Sequence, residues 1–181
     1  MIRLEYFEKS DFNQLIEWIG DEHLLTNWAG SLFRFPLNER SLDWYIENSN
    51  DIEKSDVLIY KVIESTTNTI VGHISLGSIN RSEGSARITR VLVGNTTLRG
   101  RGICQGMMKA ILKIGFEEMG LHRISLGVYD FNVAALKCYE KVGFVRDGLM
   151  RDVKKFNGGY WSLVEMSMLE DEWHKSQNNI R

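Results

Sequence analysis

The sequence predicts an α/β fold, and three observations predict it. Residues 57–93 fall into β-branched runs separated by polar turns, as paired strands do. A glycine-rich loop then opens a helix with one broad apolar face. A further alternating run, residues 123–129, leads through Asp130-Phe131-Asn132 into a second short helix.

Taken in order, the elements have local causes. Residues 2–7 alternate like a short strand, and Ser10 or Asp11 can cap a helix that buries Phe12, Leu15, Ile16 and Ile19, with Gly20 as its stop signal. Residues 23–36 read as irregular and aromatic, carrying Trp28, Phe33 and Phe35; a second helix is expected over about 38–47. Residues 57–63 and 70–76 form a hairpin across the turn Ser65-Thr66-Thr67-Asn68, and residues 86–93 read as a third strand. The helix after the glycine-rich loop should run to about Met119 on Ile103, Met107, Ile111 and Ile114. At the far end, residues 145–156 and 160–169 read as a hairpin across Asn157-Gly158-Gly159, followed by a frayed polar segment from Leu169.

Composition narrows the function classes. At 181 residues the chain has the length of one domain, expected to span 1–181, and can bury roughly 70% of its unfolded surface without a staple. Net charge is −2, which removes the global basic field that would favour nucleic acid or anionic lipid. No run approaches the ~20 apolar residues of a membrane span. No signal peptide is legible near Met1, because Arg3, Glu5, Glu8 and Lys9 interrupt every apolar stretch. Cys104 and Cys138 suggest no disulfide framework and fit a reducing compartment, so a soluble cytoplasmic protein is expected. His23, His122 and His174 lack metal-ligand spacing, and no metal is expected.

Chemistry concentrates in Leu98-Arg99-Gly100-Arg101-Gly102-Ile103-Cys104. The first N–H groups of a helix have no intrahelical partner and carry about half a positive charge, so they stabilise an anion such as a pyrophosphate. Glycine lets backbone approach the oxygens, and Arg99 and Arg101 add charged donors. A Walker A loop would need Gly-Lys-Ser/Thr, and a dinucleotide fingerprint would need Gly where Gln105 stands.

The run Arg99-Gly100-Arg101-Gly102-Ile103-Cys104 resembles the R/Q-x-x-G-x-G/A signature of the GNAT acyltransferases, with Cys104 where Gly or Ala is usual. Downstream, Asn132, Ala135, Tyr139, Gly143 and Phe144 follow a spacing similar to the N-x-x-A-x-x-x-Y-x-x-x-G-F pattern of the same superfamily. Arg151-Asp152, Gly159-Tyr160-Trp161 and Met166-Ser167-Met168-Leu169 resemble its RimJ/RimL-type, ribosomal-protein alanine N-acetyltransferase branch.

The resemblance implies a mixed, largely antiparallel central sheet, splayed in the middle, with helices on both faces. It implies acetyl-CoA as acyl donor, held by backbone near Val91, Leu92 and Val93, by residues 99–104, and by Asn132 and Ala135. It implies direct acetyl transfer to a primary amine, either a protein N-terminus or a small molecule, with Tyr139 as general acid. No carboxylate stands on the strand before the phosphate loop, so His73, Glu83, Glu165 and water remain open as the base. Trp28, Phe33, Phe35, Trp44 and Tyr160 are candidates for the acceptor pocket. The alternative is a non-catalytic acyl-CoA-binding module. Either a monomer or a homodimer is compatible.

Overall fold

The computed structural model describes residues 1–94 and 100–178. Seven strands form one sheet: β1 (Ile2–Tyr6), β2 (Leu58–Glu64), β3 (Thr69–Asn80), β4 (Ser85–Val93), β5 (Arg123–Tyr129), β6 (Val145–Phe156) and β7 (Gly159–Leu169). Their order is β1-β2-β3-β4-β5-β7-β6. Among these neighbours only β4 and β5 run parallel, and the sheet is otherwise antiparallel.

The period of two along each strand divides the core. On β2, Leu58, Tyr60 and Val62 enter one hydrophobic cluster while Ile59 enters the other. The first cluster is covered by α4 (Ile103–Lys113) and α5 (Val133–Val142). The second is covered by α1 (Phe12–Trp18), α2 (Glu22–Ala29) and α3 (Glu39–Ile46). Met107, Met108, Ile111 and Leu112 of α4 are fully buried, each worth about 1.5–3 kcal/mol of transfer free energy.

Two segments are more ordered than the sequence suggested. Residues 22–29 form α2, because the Asp21 carboxylate accepts from the Leu24 N–H at 2.7 Å and Gly30, at φ 61°, ends the helix. The segment after Leu169 forms α6 (Glu170–Asn178) and is not frayed there. Trp173 is buried against Phe116, and its indole donates to Glu117 at 3.1 Å. The helix on the phosphate loop keeps α-geometry to Lys113 and then widens into a π-turn, Ile114–Glu118.

The centre of the sheet is where the site arises. β4 pairs with β5 only from Ser85 to Ile88, so the two strands part beyond Ile88. On its other side β4 is bulged: register with β3 shifts between His73 and Ser75, and Arg90 adopts φ 52°. The expected splay of the two central strands is therefore present.

Candidate active site

A cavity of about 880 Å³ opens where β4 leaves β5. Both predicted motifs reach it. Val91, Leu92 and Val93 line one wall; Gly100, Gly102, Ile103 and Cys104 come from the loop and first turn of α4; Asn132, Ala135 and Tyr139 come from α5. Arg101 is exposed and does not line the cavity. Arg99 lies outside the described residues.

Local structure explains the placement. Gly100 and Gly102 sit at φ 81° and 80°, a region that disfavours any residue with a Cβ. A Cβ at either would point into open space, so their backbone presents a bare cradle beside the N-terminus of α4. That cradle suits a pyrophosphate, and the residues present fit coenzyme A. On α5 the Asn132 side chain accepts from the Ala135 N–H at 3.3 Å, and Gly143 at φ 117° closes the helix.

The bulge on β4 is held by side chains. The Arg90 carbonyl accepts from the Trp28 indole at 2.9 Å and from His73 Nδ1 at 3.1 Å. His73 is therefore the Nδ1–H tautomer, and burial pulls its pKa down to about 4, keeping it neutral. In a trans peptide the Val91 N–H points opposite to that captured carbonyl.

Tyr139 is 5% exposed and lines the cavity, and burial raises its pKa, so the phenol stays protonated across the physiological range. The named base candidates do not reach the cavity. His73 is sealed behind Trp28 at 1% exposure, Glu83 lies in the exposed β3–β4 turn, and Glu165 is held by Arg87 through two 2.7 Å hydrogen bonds.

Of the acceptor-wall candidates, Trp28 lines the cavity and Phe33 stacks behind it at 5.7 Å; Phe35, Trp44 and Tyr160 are exposed elsewhere. The sequence reading missed Leu24, Asn27 and Gly30, which α2 brings to the cavity, and Arg87 and Arg90 of β4. The Asp21-to-Leu24 cap was the available signal for α2.

Cys104 and Cys138 are not free thiols. They form a disulfide, with Cα atoms 6.5 Å apart, joining α4 to α5 beside the cavity. Their sequence separation of 34 residues concealed this, because only the packing of the two helices makes them neighbours. Among the described residues no cluster could hold a metal ion, and no helix is long and apolar enough to cross a membrane.

Comparison with known proteins agrees with this geometry. The chain is 26% identical over 153 residues to the SPbeta prophage-derived uncharacterized N-acetyltransferase YokL of Bacillus subtilis, covering 84% of this chain and 82% of that one. It is 27% identical over 112 residues to the spermidine N(1)-acetyltransferase of Vibrio cholerae, covering 62% and 64%. The fold superposes on the crystal structure of the Vibrio cholerae spermidine N-acetyltransferase in complex with CoA and spermine. The TM-score is 0.81 at 21% identity, covering 96% of this chain and 98% of that one. Residues 2–145 match the Acetyltransferase (GNAT) domain family, so the chain belongs to that family and is an acetyl-CoA-dependent N-acetyltransferase.

Proposed function

We propose that the protein acetylates a primary amine by direct attack on the thioester of acetyl-CoA, within the cavity between β4 and β5. The observation that carries this reading is the convergence there of both motifs with α2. Gly100 and Gly102 would cradle the pyrophosphate with the α4 N-terminus behind them, and Asn132 and Ala135 would flank the pantetheine arm.

The Val91 N–H would hydrogen-bond the thioester carbonyl. It is aimed before the substrate arrives, because Trp28 and His73 fix the peptide. A preorganised donor of this kind is worth about 3 kcal/mol of barrier. The amine nitrogen forms the new bond to the carbonyl carbon, the carbon–sulfur bond breaks, and Tyr139 gives its proton to the departing thiolate. Its raised pKa keeps the phenol protonated, so that a proton is in place when the thiolate forms beside it. The amine proton leaves to water, since no carboxylate lines the cavity among the described residues, and solvent returns a proton to Tyr139.

We read residues 1–181 as one cytoplasmic domain, in which the Cys104–Cys138 pair would stand reduced. The late hairpin is of RimJ/RimL type, on Arg151-Asp152, Gly159-Tyr160-Trp161 and Met166–Leu169. The test is thiol release from acetyl-CoA over a panel of amines, repeated with Tyr139→Phe. Loss of turnover with acetyl-CoA affinity retained supports the acid; unchanged turnover removes Tyr139 from the mechanism.

A further inference from the structure

Charge on the cavity wall is one-sided. Arg87, Arg90, Lys137 and Lys141 line it, and among the described residues no aspartate or glutamate does. Lys137 and Lys141 stand on the exposed side of α5, and Arg87 is neutralised by Glu165. Arg90 has no carboxylate partner among the described residues.

Its guanidinium is half used. Nη1 donates to Thr89 Oγ1 and, at 3.5 Å, to Ser75 Oγ, while the carbon of the guanidinium sits 5.1 Å above the Tyr45 ring. The opposite edge, Nε with Nη2, has no acceptor among the described residues, and Nε is buried. Tyr45, 7% exposed, places its hydroxyl beside Ser75 and Arg90 without a hydrogen bond of good geometry. His73 Nε2 is the third buried polar atom without a partner, and its ring lies 5.9 Å from that of Tyr45. All three orphans belong to one layer beneath α2 and α3. His73 Nε2 is an acceptor in the Nδ1–H tautomer and is sealed behind Trp28, whereas Arg90 brings to the cavity wall a charge that no described carboxylate offsets, and this calls for an anionic ligand group.

We propose that Arg90, its guanidinium positioned over the Tyr45 ring, binds a carboxylate carried by the acceptor, so that the acceptor class is an amine bearing a carboxylate, such as an amino acid. The inference rests on the transferase reading and names the acceptor of that same site. Nη2, which is neither buried nor bonded among the described residues, offers the charged N–H donors that a carboxylate accepts, with Nε sealed behind it. The acceptor must enter on the α2 side, because the glycine cradle of the donor phosphates lies at the start of α4. Arg90 stands on that side, its carbonyl bonded to Trp28 of α2. A polycationic acceptor would meet an uncompensated guanidinium and no anion in this wall. Spermidine is therefore expected to be a poor acceptor.

The experiment compares amino acids with the amines that lack only the carboxylate, lysine against cadaverine and β-alanine against ethylamine, with spermidine alongside. Each is tested for acetyl-CoA-dependent thiol release and product mass. A kcat/KM at least ten times higher for the best carboxylated member of a pair is expected. Arg90→Gln should cut that ratio roughly ten- to hundredfold through the acceptor KM, leaving the KM for acetyl-CoA within about twofold. Tyr45→Leu, which removes the ring beneath the guanidinium, should cut it by less and keeps the test open if Arg90→Gln folds poorly. Equal or better turnover of the carboxyl-free amines, or no turnover of any amino acid while another amine is acetylated, overturns the carboxylate site and leaves the transferase intact. Silence with every amine, without stabilisation by acetyl-CoA, would instead remove the transferase reading itself.

Discussion

The two halves of the cavity are built by different means. The donor half, from α4 and α5, presents mainly backbone: two left-handed glycines, a helix N-terminus and the Val91 peptide. The acceptor half, under α1–α3, presents side chains whose positions depend on distant partners, as when Trp28 reaches the carbonyl of Arg90, 62 residues away in sequence. Backbone recognition demands particular residues at fixed spacing, so the donor half was legible as a motif. Side-chain recognition assembled by packing leaves no local pattern, so the acceptor half was not.

The largest effect should follow from breaking the donor half at its backbone. Gly102→Val puts a β-branched residue at φ 80° and fills the open cradle. Acetyl-CoA affinity should fall at least about a hundredfold, read by calorimetry, since the first-turn N–H groups lose access to the phosphates. Retained affinity would mean that the phosphates lie elsewhere. Next comes Tyr139→Phe, for which kcat should fall ~10²- to 10⁴-fold with little change in acetyl-CoA binding.

Stability measurements probe how each half is fastened. The Cys104–Cys138 bridge closes a separation of 34 residues, for which chain entropy gives about 3–4 kcal/mol. A reductant should therefore lower the melting temperature of the wild type but not that of a Cys104→Ala/Cys138→Ala variant. On the acceptor side, burial depresses the His73 pKa from 6.5 to about 4. Between those values the unfolded chain binds a proton that the folded chain does not, so stability is full above pH 6.5 and falls as pH drops toward 4. The loss is up to about 3 kcal/mol, and His73→Gln should flatten this part of the profile.

The sequence made the sheet, the parting of its central strands and the two cofactor motifs readable, because alternation, glycines and caps act over a few residues. Ten of the twelve predicted site residues line one cavity, whereas Arg101 points to solvent and Arg99 is outside the described residues. The sequence also left His73 open as a base, and its burial behind Trp28 assigns it to the peptide it holds. No local pattern could separate those roles, since a histidine on a strand looks alike in both. The same holds for Cys104, whose partner lies on another helix, and for Arg90, whose place in the bulge of β4 no local pattern marks.

The most direct test of the central claim is the melting temperature of the wild type and Gly102→Val across a titration of acetyl-CoA. If the cavity between β4 and β5 holds the donor, the wild type should gain about 2.7 kcal/mol at a hundredfold excess over Kd, and the variant should gain almost nothing. Equal stabilisation of both proteins, or of neither, would contradict it.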